Sequence, residues 1–199
     1  MNVTNFTSPT NTVPSKFTTL MRDAGMVMLH CDSKGRLVSS EQSDWLIDLL
    51  SASPLVRLAI TTNCATWNTQ DTLQIAEAFQ GVWLVPARKT NSRRDGGFVI
   101  GVIVTDALCT SEYIHALCQA SGADTTVIKD MLLSLSPVAS HDVKRIASMF
   151  QFAWNAQSAS DLNQSTMESI GQELADSYEE INLLYTITGS MNSVKNPKR

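Results

Sequence analysis

The feature that most limits what this 199-residue chain can become is its C-terminal stretch Ser165–Met191, STMESIGQELADSYEEINLLYTITGSM. Apolar residues recur there at helical spacing among carboxylates, which predicts an amphipathic helix. A lone helix cannot bury its apolar stripe, so it is expected to pair with a second copy or to run on into a further element. Counting sevens from Val143 passes Phe150, Gln157, Gln164, Gly171, Tyr178 and Tyr185. Counting from Ile146 passes Ala153, Ser160, Met167, Leu174, Ile181 and Thr188. The unbroken register favours one helix from Ser140 to Met191, roughly 75–80 Å long at about 1.5 Å per residue. The alternative is a separate helix opened by the capping box Ser165-x-x-Glu168 after a Gln157–Gln164 loop. Phe150, Met167, Leu174, Tyr178, Ile181 and Tyr185 are the residues expected to carry pairing, with a polar seam between Gln157 and Gln164.

The rest of the chain is long enough for one domain of ordinary size. Its apolar share of 43% suits a globular core, and a net charge of -4 argues against nucleic acid. The only dense basic run, Arg88-Lys89 with Arg93-Arg94, is too short to track a phosphate backbone. No apolar run approaches the roughly 20 residues needed to span a bilayer. The N-terminus lacks a secretory pattern, so a cytoplasmic location is expected, with residues 1–16 a disordered tail and 192–199 a flexible end. The triplets Asn2-Val3-Thr4 and Asn5-Phe6-Thr7 match the glycosylation pattern by chance on that reading. Cys31, Cys64, Cys109 and Cys118 show no metal-ligand spacing with each other or with His30, His115 and His141. They are expected to be reduced thiols, with no metal and no cofactor.

Gly25–Cys31, the turn Asp32-Ser-Lys-Gly35 and Arg36–Ser39 predict a β-hairpin. Ser43 or Asp44 caps a helix through about Ser51, with Trp45, Leu46, Leu49 and Leu50 inward. Ser53-Pro54 opens another, which buries Leu55, Leu58 and Ala59 and fades near Asn63–Trp67. Thr72–Phe79 is ambiguous between helix and strand. Val82–Ala87 is a strand whose proline indicates an edge or a bulge. Gly97–Thr105, GFVIGVIVT, is apolar on both faces and should be a central strand, reached through the polar hairpin loop Arg88–Gly96. Then the period turns helical: a helix capped by Thr110 or Ser111 and stopped at Gly122, one capped by Asp124 and ended at Ser136-Pro137, and one opened by Ser140.

Motifs that could carry chemistry are sparse. His141-Asp142 is an HD dipeptide without the further ligands a metal phosphohydrolase needs, and Asp142 suits the first turn of a helix. The glycines around Gly97 lack the strand–loop–helix setting of a phosphate cradle. Glu179 and Glu180 diverge by about 100° on a helix and do not face one another. No nucleophile elbow or triad setting exists, so no catalytic residue is assigned. Arg93 and Arg94 at a loop tip could grip an anion or simply keep an edge soluble. Trp67, Trp83 and Trp154 could line an apolar pocket or pack as core. Cys64, Trp67, Trp83, Arg93 and Arg94 are the ligand-binding candidates.

Two passages resemble known families. Gly97–Gln157, with its glycine-bearing strand GFVIGVIVTD, the helix ending in Ser121-Gly122-Ala123-Asp124 and the run MLLSLSPVASHDVKR, is similar to the PocR-type sensory domain, a relative of the PAS fold. The strand also resembles that of GAF domains. ELADSYEEINLLYTITGSM resembles the connector helix that precedes GAF, HD-GYP phosphodiesterase or SpoIIE-type phosphatase modules in bacterial signalling proteins of the planctomycete kind. Together the likenesses cover about residues 81–191. They imply an α+β fold with an antiparallel PAS/GAF-like sheet flanked by helices over residues 17–157, then a coiled-coil signalling helix over 158–191. They imply a homodimer, a small organic ligand, and a downstream effector domain or protein that holds any enzymatic activity. A ligand-free dimeric adaptor and a hydrolase are the competing expectations.

Overall fold

The computed structural model describes residues 15–38, 44–89, 96–135 and 137–195, with side chains from 17 to 184. The expected tail therefore lies almost wholly outside the described residues, as do Arg93, Arg94 and the side chain of Tyr185. Two compact units follow one another along the chain, with the boundary between Asn155 and Ala156.

The first unit is built on a five-stranded antiparallel sheet in the order β2-β1-β5-β4-β3. The strands are β1 (Met26–Asp32), β2 (Leu37–Val38), β3 (Ala76–Phe79), β4 (Val82–Arg88) and β5 (Gly97–Val104). All eight residues of β5 are buried. It runs between β1, in the register Met28↔Gly101, and β4, in the register Leu84↔Val102. That central place is the one its two-sided apolar character requires. Pro86 corrects the sequence expectation in part. β4 is an interior strand, but β3 pairs only with Val82–Leu84. The proline therefore sits where β4 faces no β3 residue and its missing N–H breaks no ladder.

Helices cover both faces of the sheet. On one, Val27, Leu29, Cys31, Val82, Leu84, Phe98, Ile100, Val102 and Val104 form a core. Its cover is α2 (Trp45–Ala52), α3 (Pro54–Thr69), α4 (Asp106–Thr110), α5 (Tyr113–Ser121) and α6 (Thr125–Ser134). Asp44 caps α2 by accepting from the Leu46 N–H at 3.0 Å. Asp124 caps α6 by accepting from Thr126 and Val127. In α3 the buried stripe is Val56, Ile60, Cys64 and Trp67. This corrects the expected Leu55–Leu58–Ala59 face: Leu58 is exposed, while Leu55 and Ala59 only flank the core. The spacing of four, four and three keeps the observed stripe on one side for three turns, which the shorter set cannot do.

Met26, Met28, Val85, Ala87, Val99 and Ile103 point to the other face. Over them lie α1 (Ser15–Asp23), through Phe17 and Met21, and the start of α7 (Val143–Lys195), through Val143, Ala147, Phe150 and Trp154. Gly101 leaves room there for Met26, whose side chain occupies the place a Cβ would take. The chain passes between faces at Val138, which bonds to the end of β5 through Val138 N–H to Val104 O and Asp106 N–H to Val138 O. One 3-10 turn, Ser140–Asp142, then leads into α7.

The α+β class, the antiparallel sheet flanked by helices and the long C-terminal helix are as the sequence indicates. α7 is one helix of 53 residues. The capping box at Ser165 is not made. Ser165 and Thr166 both donate their hydroxyls back to Leu162 O at 2.9 Å, and Glu168 accepts from Gln164. Hydroxyls that fold back onto the preceding turn leave the helix running.

Candidate functional site

In the first unit the beginning of α7 is fastened to the sheet by side chains as well as by packing. Gln151 donates to Leu73 O at 3.1 Å and to Pro86 O at 3.2 Å, and the Trp154 indole donates to Arg88 O at 2.8 Å. Phe17, Phe150 and Trp154 form an aromatic cluster with ring centroids 5.7–6.4 Å apart. A displacement of β4 must therefore reach α7 through two hydrogen bonds, at Pro86 and Arg88, and a packed face. On the other side, Arg88 donates to the carbonyls of Trp67 at 2.9 Å and Gln70 at 2.6 Å, which satisfies the C-terminal end of α3.

Of the ligand-binding candidates, Arg93 and Arg94 lie outside the described residues, and the other three do not share a site. Cys64 and Trp67 are buried in the core beneath α3, and the Trp67 indole donates to Gln74 O at 2.9 Å. Trp83 alternates with Val82 and Leu84 along β4 and packs half-buried on the opposite face. A pocket lined by both tryptophans would have to pass through the sheet. An open groove of about 580 Å³ in this unit lies elsewhere, between the β1–β2 hairpin and α2–α3. Leu29, Leu37 and Ile47 give it apolar walls, while Arg36, Asp48 and Arg57 give it charge. The groove was not legible in the sequence, because its walls come from four separate segments.

His141 and Asp142 behave as a helix start. Asp142 accepts from Arg145 at 3.0–3.1 Å and lies 3.6 Å from His141. Among the described residues no cluster of His, Cys, Asp and Glu could hold a metal ion. Also among them, no single helix is long and apolar enough to cross a membrane; α2 and α3 pass such a test only as a pair bent by 75°.

The second unit is the remainder of α7. Met167 (74% exposed), Ile170, Leu174 (58%), Tyr178 and Ile181 are all open to solvent. At about 100° per residue these five fall within an arc of roughly 80°. Asp161, Glu168, Glu173, Asp176, Glu179 and Glu180 lie outside that arc, and no Lys or Arg occurs between residues 156 and 184. Gln157, Gln164 and Gln172 each donate to the carboxylate four residues on, at 2.8, 3.0 and 2.9 Å. Such pairs stabilise an exposed helix by about 0.2–0.5 kcal/mol each. Ile170 was missed by counting sevens alone; its signal was the spacing of three and four from Met167 and Leu174. Phe150, expected on the pairing seam, is instead wholly buried in the first unit's core. Upstream, Ser160 and Asn163 fall on the line of the apolar arc, whereas Gln157 and Gln164 lie roughly 40–60° beyond its edge.

Comparison with protein-family models, curated proteins and solved structures finds no significant match to this chain.

Proposed function

We propose that the chain is a non-catalytic sensory module that pairs with a second copy through the later part of α7. The sheet domain takes a small organic molecule, and the helix pair passes the resulting change in packing to an effector domain or protein. The observation that carries this reading is the solvent-exposed apolar arc Met167–Ile170–Leu174–Tyr178–Ile181, with all six carboxylates of residues 156–184 outside it. Apolar residues held on one arc for about two heptads are the pattern of a helix-pairing seam. Transmission is supported by the fastening of α7 to β4 through Gln151 and Trp154. The groove beside β1, with apolar walls and opposed charges, fits a small polar organic ligand.

Sedimentation equilibrium tests the pairing. The full chain should dimerise at micromolar concentration, and Leu174→Glu with Ile181→Glu should leave a monomer with an unchanged sheet domain. A wild-type chain that stays monomeric at high concentration would sink the reading. The ligand step is tested separately by tryptophan fluorescence in a screen of small metabolites, repeated with Arg57→Ala. A dimer that binds none of them would leave the ligand-free adaptor.

A further inference from the structure

We propose that Cys31 and Cys64 form a modification site, a buried dithiol that hydrogen peroxide converts into an intrachain disulfide. Cys31 is a buried residue near the end of β1 and Cys64 lies in the second half of α3, 33 residues apart in sequence. The fold brings their sulfurs to 3.8 Å, and each residue is only 1% exposed. Disulfide sulfurs stand about 2.05 Å apart, so the pair need close by roughly 1.7 Å.

The two thiols are unequal. Their mutual hydrogen bond holds Cys64 below its ordinary value, against the opposing effects of burial and Asp32. The same bond, followed by burial, pushes Cys31 up. Cys64 is therefore the sulfur that ionises first and Cys31 the one that resolves. Cys64 thiolate attacks one peroxide oxygen, the O–O bond breaks, and the departing hydroxide takes up the proton Cys64 released to form water. The sulfur of Cys31 then displaces hydroxyl from the Cys64 sulfenic acid, and its own proton leaves in a second water. Two thiols and one peroxide give one disulfide and two waters; both sulfurs are oxidised and the peroxide is reduced.

Access runs past the β1–β2 turn. Gly35, at φ +79, lies directly on α3, where a Cβ would stand 2.7 Å from Thr61 Cα and 3.4 Å from Cys64 Cβ. Only glycine allows the turn to press that close. Asn68 fastens the turn by donating to Ser33 O at 2.7 Å. The open groove reaches Gly35 and Thr61, so loosening that one bond brings solvent to the thiols.

The test treats the folded full chain with hydrogen peroxide, quenches, alkylates free thiols and maps the peptides by mass. A Cys31–Cys64 link should appear with a mass loss of about 2 Da, reverse with dithiothreitol, and vanish in both Cys31→Ala and Cys64→Ala. Asn68→Ala should speed its formation several-fold. The proposal is overturned if Cys31 and Cys64 stay reduced at peroxide doses that oxidise half-buried Cys109, or if the link forms only in denaturant. An unchanged rate in Asn68→Ala would overturn the turn as the way in.

Discussion

His30 stands beside Cys31 on β1 but faces away from the thiol pair. Burial, and after it the charge of Lys89, lowers its pKa from 6.5 to about 4. The folded protein therefore holds a neutral imidazole where the unfolded chain would protonate it. The sign follows: the contribution is fully present above pH 6.5 and is lost as pH falls toward 4, because the unfolded state binds the extra proton. The loss is at most about 3 kcal/mol. Urea unfolding between pH 7.5 and 4.5 should be steeper in pH for the native chain than for His30→Leu; parallel curves would refute the assignment. At this scale local chemistry was readable in the sequence. Asp44 and Asp124 cap because a short carboxylate reaches the N–H groups two and three residues on, whatever the rest of the chain does. The contact between Cys31 and Cys64 was not readable, since it exists only once β1 and α3 pack.

Among the elements, β5 announced itself because burial on both faces demands an uninterrupted apolar run. α1 did not: its nine residues are amphipathic, but two and a half turns beside a Thr- and Asn-rich stretch are too short a run to establish a period. α7 was legible as a long helix but not as one whose first turns belong to the sheet core. Phe150 fits the heptad count, yet the same spacing places it with Val143, Ala147 and Trp154 against the sheet. Only tertiary packing tells a seam from a core stripe. Gln151 marks the difference physically, being the side chain that joins the helix to two strand-side carbonyls. Gln151→Leu should cost about 1–3 kcal/mol, because Leu73 O and Pro86 O lose that donor in a half-buried place. Phe150→Ala should cost about 3–5 kcal/mol by opening a cavity in the aromatic cluster. Hydrogen exchange should separate the two. Gln151→Leu loosens chiefly the early turns of α7, whereas Phe150→Ala loosens the sheet as well; identical protection maps would argue against a discrete fastening.

For the whole molecule, the composition of the second unit sets how a pair of copies must behave. Each helix carries six carboxylates between residues 156 and 184 and no Lys or Arg there, so in the proposed pair charge repulsion would oppose the burial of the apolar arcs. At physiological salt the Debye length is about 8 Å, and charges on the outer faces of two packed helices are largely screened. At 0.01 M salt it is about 30 Å, and the repulsion extends across the pair. Self-pairing should therefore weaken several-fold in sedimentation as salt is lowered, whereas pairing with a basic partner helix should tighten. On the proposed pairing, polar Ser160 and Asn163 on the same arc would weaken the seam further, so Asn163→Leu should strengthen dimerisation. Marginal pairing suits a switch. Reversing a two-state equilibrium from 1:99 to 99:1 takes about 5.5 kcal/mol of differential binding, and a seam much more stable than that could not be turned by one small ligand. If the native dimer tightened at low salt, the acidic helix would not be self-pairing, and the partner to seek would be a cationic amphipathic helix.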